Sequence, residues 1–283
     1  MKLFLIRHAE TVHNVAQAWA GTTDSALTNH GTLQIESLAK HFASNAIHFG
    51  QVFASDLSRA HLTAAGICLR QPQDHDRPLA AILTSDLRER DFGSLEGIRI
   101  QSTSTRPERG NAPPSQNPQP DNRLNPTYKE RETVISMRQR ATSFLNEHLL
   151  PLLFDYSETG ANVAIVSHGV FLRVLWNRLV ELFDPMDISL ATGDPSRDNG
   201  PAALFSPSWS NTGFMTLSIQ PIPAPKEQSN SDRGTDTLLN GWAMKIMAVD
   251  SKEHLAGLHR TRGGIGSAVH DSRQKRIDQF FKR

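Results

Sequence analysis

The segment Asn162–Ser167 (NVAIVS) constrains the fold most, because it is apolar at nearly every position. A run of this length and character is typical of a strand buried on both faces of a parallel sheet. Residues 2–6 have the same character, and residues 51–54 and 79–84 are further extended candidates. An apolar-rich helix is predicted directly after Asn162–Ser167, over residues 170–183. Strands that alternate with helices in this way predict an α/β domain with a mostly parallel sheet.

Further helices and two late strands complete the expected pattern. One helix is predicted after Thr28, and another after an N-cap that residues 55–56 offer. Helical spacing of apolar residues resumes over residues 131–153. Residues 214–219 and 242–249 are predicted to be strands, and their pairing with each other would complete the sheet.

Polar stretches and a basic end divide the chain. About residues 100–126 and about residues 221–240 are rich in Pro, Ser, Asn and Asp, which is typical of inserts and linkers outside a core. From His259 onward, seven Lys and Arg face two Asp. We therefore expect one domain over residues 1–255, interrupted by the insert and the linker, and a basic, flexible tail over residues 256–283.

Composition excludes several classes of protein. The single cysteine, Cys68, excludes an internal disulfide framework and a cysteine-rich zinc module, and it favours a reducing compartment, cytoplasmic and/or nuclear. The formal charge of +1 supplies no global field that would recruit nucleic acid or an anionic membrane. The histidines show no paired metal-ligand spacing, so we expect neither a metal nor another cofactor.

Basic side chains follow three of the predicted strands. Arg7 and His8 come at the end of the first strand, and His168 directly follows the strand Asn162–Ser167. Arg59 falls in the first turn of the helix after the second strand, where free N–H groups favour an anion. Ligands of open α/β sheets bind at the carboxyl ends of the strands. The residues therefore predict a phosphate site, with an imidazole as a candidate nucleophile.

Four segments carry a resemblance to a known family. They are LIRHAETVHN (5–14), SDLSRAHLTA (55–64), LRERDFGSLEG (87–97) and VSHG (166–169). In this order and at these separations they resemble the motifs of the histidine phosphatase superfamily, the phosphoglycerate mutase-like proteins. The resemblance runs from residue 3 to about residue 183, and Ser210-Asn211 match more loosely. It implies a three-layer α/β/α sandwich around a mostly parallel sheet.

The resemblance also implies catalytic roles. His8 matches the histidine that becomes phosphorylated, and Glu89 matches the general acid and base. His168 matches the second histidine of the phosphate pocket, and we expect it to be cationic. An alternative for Glu89 is a surface carboxylate that pairs with Arg88 and Arg90.

The phosphate and substrate contacts follow from the same resemblance. Arg7 and Arg59 match two arginines that hold the phosphoryl oxygens, and the amide of Asn14 matches a further donor to the same group. Gly21 matches, more loosely, a glycine at which the backbone comes close to the substrate.

Three functions remain open on this basis. The first is a metal-independent phosphatase that hydrolyses a phosphomonoester of a small molecule through a phosphohistidine on His8. A mutase of the phosphoglycerate type is the second. The third is a non-catalytic protein that binds phosphate or associates with a sliding clamp.

The end of the tail contains a separate pattern. Gln274, Ile277, Phe280 and Phe281 resemble the box by which replication and repair proteins bind the sliding clamp of DNA polymerases. One tight helical turn would bring the three apolar side chains together, with the glutamine at their rim. The alternatives are that these residues dock on the enzyme's own core, or that the match arises by chance.

Overall fold

The computed structural model describes residues 1–72, 78–100, 127–155, 162–191, 206–223 and 238–271. Its strands are β1 (Lys2–Arg7), β2 (Phe49–Ser55), β3 (Ile82–Thr84), β4 (Asn162–Ser167), β5 (Ile188–Leu190), β6 (Phe214–Pro221) and β7 (Trp242–Ser251). Its helices are α1 (Val12–Ala16), α2 (Asn29–Ser44), α3 (Ser58–Leu69), α4 (Val134–Phe144), α5 (Leu150–Asp155) and α6 (Gly169–Val180). No helix in these ranges is long and apolar enough to cross a membrane.

The strands form one seven-stranded sheet in the order β3-β2-β4-β1-β6-β7-β5. The pairs β1–β4, β2–β4, β2–β3 and β5–β7 are parallel. The pairs β1–β6 and β6–β7 are antiparallel, so the two late strands pair as predicted. β1 lies between β4 and β6, which places the residue after β1 near the middle of the sheet. The prediction of a mostly parallel sheet is confirmed.

Helices cover both faces of the sheet. Alternate residues of β1 point to opposite faces, so Leu3 and Leu5 join one core cluster while Phe4 and Ile6 join another. The first cluster contains buried residues of α4, α5 and α6, and the second contains buried residues of α2 and α3. The result is the predicted three-layer α/β/α sandwich.

The helix predicted over residues 131–153 begins at Val134 and is interrupted. A π-helical turn, Leu145–Leu149, joins α4 to α5. Such a turn adds a residue to one helical turn and so changes which side of the helix each later residue occupies. Leu145 and Leu149 at its two ends are both buried, at 1% and 0% exposure. The shift therefore keeps an apolar face on the sheet through both helices.

The predicted N-cap of α3 at residues 55–56 is wrong. The cap position is Leu57, which supplies no side-chain cap. Asp24 acts instead, because its Oδ1 accepts from the backbone N–H of Ser58 at 3.0 Å and from the Ser58 hydroxyl at 2.9 Å. A cap that comes from a distant loop leaves no local pattern in the sequence.

The first part of the predicted tail contacts the domain. Val269 forms a β-bridge with Thr28, and the backbone N–H of His270 donates to the Leu27 carbonyl at 2.9 Å. Nη1 of Arg260 donates to Glu10 at 2.8 Å. The contacts are mostly polar and use the backbone, which composition cannot predict, and they join residues of the range 256–271 to the domain. The flexibility expected of residues 256–283 stays a prediction. The domain boundary at residue 255 stays a prediction.

Several predicted segments lie outside the described residues. These are residues 101–126 of the insert, residues 224–237 of the linker, and residues 272–283, which hold the clamp-like pattern of Gln274, Ile277, Phe280 and Phe281.

Candidate active site

The two histidines lie side by side at the carboxyl ends of β1 and β4. The strands are parallel and in register, with Arg7 opposite Ser167, and the backbone N–H of His8 donates to the Ser167 carbonyl at 2.9 Å. Because each histidine is the next residue along its strand, the register brings their rings together. The ring centroids of His8 and His168 are 5.0 Å apart.

His8 is held as a neutral imidazole with one nitrogen free. Its side chain is buried, and Nδ1 lies 2.7 Å from the carbonyl oxygen of Ala9. A carbonyl oxygen only accepts, so Nδ1 carries the proton and Nε2 keeps its lone pair. Burial lowers the pKa of His8 well below its usual value, and the positive charges of Arg59 and Arg7 lower it further. Such an imidazole is a nucleophile at neutral pH.

His168 has the opposite arrangement of donor and acceptor. Nε of Arg59 donates to its Nδ1 at 3.2 Å, so Nε2 carries the proton. Nε2 is buried and has no hydrogen-bond partner in the described part of the chain. Burial, with the charge of Arg59, lowers the pKa of His168 well below its usual value. The expectation of a cationic His168 is therefore wrong for the free protein: three surrounding positive charges (Arg59, Arg7 and Arg140) and the loss of solvent both disfavour a proton.

Arg59 lies almost fully buried, at 1% exposure, in the first turn of α3. Besides its bond to His168, Nη2 donates to the Gly21 carbonyl at 2.6 Å and Nη1 donates to the Thr23 carbonyl at 2.9 Å. Burial lowers the pKa of Arg59, while the charges of Glu89 and Asp24 act to raise it. Its guanidinium is therefore a fixed positive charge beside the two histidines.

Arg7 contributes a second guanidinium. Its Nη1 donates to the carbonyl of Trp209 at 2.7 Å, and its buried Nε has no partner among the described residues. Gly169 at the start of α6 lies next to it, since a Cβ at this position would lie 3.6 Å from that Nε, an ordinary van der Waals contact. An unpaired, buried N–H of a cation costs free energy unless an anion is bound, so Arg7 favours an anionic ligand.

The side chain of Asn14 is oriented by hydrogen-bond donors that meet its Oδ1 atom. Its Oδ1 accepts from Nδ2 of Asn211 at 3.1 Å and from the backbone N–H of Thr11 at 3.1 Å. The same Asn211 amide also donates to the backbone carbonyl of His8 at 3.1 Å. With Oδ1 occupied, the NH₂ group of Asn14 is the part of the side chain that a ligand would meet.

Gly21 lies in a loop that Glu96 supports. Its φ of +56° is the left-handed region, and a Cβ there would lie 1.9 Å from Oε1 of Glu96. The two carboxylate oxygens of Glu96 accept from the backbone N–H groups of Thr22 at 2.7 Å and Thr23 at 2.9 Å. This loop turns its carbonyls at residues 21 and 23 toward Arg59. Glu96 belongs to the segment 87–97, but nothing in that segment predicts this role for it.

Glu89 lies at the amino-terminal end of α6. Its oxygens accept from the backbone N–H groups of Val170 at 3.2 Å and Phe171 at 3.1 Å, which a helix terminus leaves unpaired. Arg88 pairs instead with Asp56 at 2.6 Å. The side chain of Arg90 donates to the carbonyl of Glu132 at 2.8 Å. The alternative in which Glu89 pairs with the side chains of Arg88 and Arg90 is therefore wrong.

One cavity of about 300 Å³ collects the predicted residues. Arg7, His8, Asn14, Gly21, Arg59 and Glu89 line it, and His168 does not line it but lies beside His8. Other lining residues were not predicted from the sequence: Ala18, Trp19, Ala20, Phe92, Ile100, Gly169, Val170, Arg173, Ser208 and Trp209. Proximity to a predicted site residue is the signal that marks Trp19, two positions before Gly21, and Arg173, in the second turn of the helix after His168.

Comparison with known proteins identifies the family. The model of the histidine phosphatase superfamily, branch 1, matches residues 3–190. The chain belongs to the histidine phosphatase superfamily. Within this superfamily, a Schizosaccharomyces pombe protein named "probable phosphatase" is 28% identical over 280 residues, which are 99% of this chain and 79% of that protein.

Two other relatives differ in the activity that their names carry. A broad-specificity phosphatase of Saccharomyces cerevisiae is 37% identical over 100 residues, or 35% of this chain and 42% of that protein. A 2,3-bisphosphoglycerate-dependent phosphoglycerate mutase of Lactobacillus johnsonii is 25% identical over 218 residues, or 69% of this chain and 91% of that protein. Proteins named as phosphatases and proteins named as mutases therefore both resemble this chain.

Solved structures share the fold. A mycobacterial glucosyl-3-phosphoglycerate phosphatase superposes with a TM-score of 0.54 at 17% identity, covering 89% of this chain and 99% of that one. A phosphoserine phosphatase variant from Entamoeba histolytica also gives 0.54, at 20% identity, with 90% and 98% covered. At these identities the likeness shows a shared fold and nothing more.

Proposed function

We propose that this histidine phosphatase hydrolyses phosphomonoesters through a phosphohistidine on His8. One observation supports this most: a buried neutral imidazole, with Nε2 free, lies beside two guanidinium groups and the buried N–H of His168. Phosphoryl transfer needs an in-line nucleophile and positive charge around the equatorial oxygens. The chain's own residues supply both, so the proposed reaction needs no metal ion.

In the first step the lone pair of His8 Nε2 attacks phosphorus, and the bond between phosphorus and the ester oxygen breaks. Arg7, Arg59 and the amide of Asn14 hold the phosphoryl oxygens, and Nε2–H of His168 donates to one of them. Protonated Glu89 gives its proton to the leaving oxygen, which departs as an alcohol.

In the second step water hydrolyses the phosphohistidine. The Glu89 carboxylate takes a proton from the water, whose oxygen attacks phosphorus while the bond to Nε2 breaks. Inorganic phosphate leaves, and His8 returns to its neutral form. Glu89 ends protonated, as it began, so the cycle balances.

Turnover of 4-nitrophenyl phosphate tests the proposal. We expect hydrolysis by the wild type and its loss in His8→Ala. His61→Ala is the matched control, because His61 is an exposed histidine on α3 that does not line the cavity. Absence of turnover by the wild type on this ester and on a panel of alkyl phosphates would favour the non-catalytic alternative.

The mutase alternative has a separate test. Some relatives are named as mutases, and a mutase returns the phosphoryl group to substrate rather than to water. Incubation with 3-phosphoglycerate, followed by phosphorus NMR, distinguishes 2-phosphoglycerate from inorganic phosphate. Rapid isomerisation without release of phosphate would overturn the hydrolase proposal.

We also propose that the end of the tail binds a DNA sliding clamp. The sequence pattern of Gln274, Ile277, Phe280 and Phe281 supports this, together with the basic residues around it. A peptide of residues 270–283 should bind the clamp with micromolar affinity, and Phe280→Ala/Phe281→Ala should abolish binding. In the full-length protein the same double substitution should leave phosphatase activity unchanged. Unfolding of that variant would favour docking of these residues on the enzyme's own core instead.

A further inference from the structure

Arg173 lies one helical turn beyond the residues that hold Glu89. Val170 donates its backbone N–H to Glu89, and both Val170 and Arg173 line the cavity. Residues three apart share one face of a helix, about 4.5 Å apart along its axis. Arg173 therefore lines the same cavity about one helical turn from a residue that holds Glu89.

Arg173 differs from the other two arginines of the cavity. Arg59 makes three hydrogen bonds, and Arg7 donates to the Trp209 carbonyl. Arg173 has no hydrogen bond or ion pair within the described ranges. In contrast, another arginine of the same helix, Arg178, pairs with Glu181. Its guanidinium fork is therefore available to a ligand, and that fork fits the two oxygens of a carboxylate or a phosphate.

Aromatic rings form a wall of the same cavity. The rings of Trp19 and Phe92 lie with their centroids 4.3 Å apart, and Ile100 and Trp209 also line the space. A volume of about 300 Å³ is at the lower end for a ligand pocket and suits a small molecule. Such a wall favours an apolar or planar group in the cavity that Arg7, Arg59 and Arg173 also line.

We infer that Arg173 and the Trp19–Phe92 wall form a leaving-group subsite that selects small phosphomonoesters with an apolar or planar body and a second acidic group. Arg173 binds this second anion, while Arg7 and Arg59 bind the phosphoryl group. The inference rests on the proposed function, because it concerns the leaving group of the same reaction.

Three esters test the subsite. They are 4-carboxyphenyl phosphate, 4-phosphonophenyl phosphate and the neutral 4-carbamoylphenyl phosphate. In the wild type, kcat/KM should be higher for an acidic ester than for the neutral one, and the larger preference identifies the anion as a carboxylate or a phosphate. In Arg173→Met this preference should fall about tenfold or more, as expected for the loss of one charge-assisted pair.

The matched control is Arg70→Met, which removes an exposed arginine at the end of α3 that does not line the cavity. It should keep the wild-type preference. An unchanged preference in Arg173→Met would overturn the subsite, and so would an equal loss on all three esters or an equal loss in the control.

Binding measured without turnover separates this inference from the proposed function. Calorimetry with His8→Ala should show the same preference for acidic esters, and its loss in His8→Ala/Arg173→Met. If the wild type hydrolyses none of the esters, the phosphatase proposal fails, and the calorimetric preference alone decides whether Arg173 recognises a second anion.

Discussion

Nε of Arg59 donates to Nδ1 of His168 at 3.2 Å, and this bond determines which ring nitrogen carries the proton. A guanidinium cannot accept, so Nδ1 is the acceptor and Nε2 the donor. His168 thus offers an N–H beside His8 while its own ring stays neutral. Arg59 therefore acts on the site through its own charge and through the tautomer of its neighbour.

The chemical intermediate should be observable. Incubation with a phosphoester labelled in the phosphoryl group and quenching without acid should trap label on His8, because a phosphohistidine is stable in base and labile in acid. Mass spectrometry of base-stable peptides locates the label. Label on a serine, or activity that chelators abolish, would contradict the mechanism.

Replacement of the general acid should depend on the leaving group. Glu89→Gln keeps the size of the side chain but has no proton to give to a departing alkoxide. We expect a fall in kcat/KM, which reports the step in which the leaving group departs, of about 10²–10⁴ on alkyl esters, the usual range for a general acid. Activated aryl esters should lose much less. An equal loss on both ester types would assign Glu89 a structural role.

Loss of the Glu96 carboxylate should impair the phosphate site indirectly. Glu96 holds the backbone of Thr22 and Thr23, whose loop positions Arg59. Glu96→Gln turns one acceptor oxygen into a donor, so we expect a decrease in kcat/KM of about 10- to 100-fold, since hydrogen bonds to charged groups contribute about 1.5–3 kcal/mol. Vanadate affinity should fall in parallel. Glu253→Gln, at an exposed glutamate, is the control.

The activity should persist into acid. His8 attacks as the neutral form, and burial together with Arg59 and Arg7 lowers its pKa. Neutral His8 is therefore lost only when the pH falls below this lowered pKa, and the acid limb of kcat/KM should lie below pH 6.5. The profile is measured after correction for ionisation of the ester, whose second pKa is about 6. An acid limb at an ordinary histidine pKa would contradict this.

The free energy of unfolding should decrease as the pH drops, because of His254. Burial lowers the pKa of His254 to about 4, and Thr212 contacts its Nε2. The unfolded chain takes up a proton near pH 6.5 while the folded chain does not, so the free energy of unfolding falls as the pH drops from about 6.5 to 4, by up to about 3 kcal/mol. Urea unfolding at several pH values measures this dependence, and it should be weaker in His254→Gln.

The sequence predicts well which strands carry residues of the candidate site at their carboxyl ends. Strand Asn162–Ser167 has the predicted bounds, because burial on both faces leaves an unbroken apolar run. The rule that parallel strands share a carboxyl edge then brings His168 to Arg7 and His8. The roles of these residues stay predictions, whereas their proximity is a property of the fold.

Contacts between distant segments could not be predicted in the same way. The cap that Asp24 supplies to Ser58 and the support that Glu96 gives to Thr22 span 34 and 74 positions. Neither contact produces a local period, a cap motif or a change in composition. An arginine at the cavity has a partner among the described residues only if its neighbours in space supply one. Only the structure therefore distinguishes Arg173 from Arg7 and Arg59.

Arg260 reaches Glu10, two residues after the proposed nucleophile, across 250 positions of the chain. Glu10 is nearly buried, at 8% exposure, and a carboxylate in such a place is costly without its counter-charge. During translation, the ribosome therefore delivers the partner of Glu10 250 residues later than Glu10 itself. A growing chain therefore holds Glu10 without this counter-charge until residue 260 has been added, and products of interrupted translation that stop before Arg260 lack the ion pair beside His8.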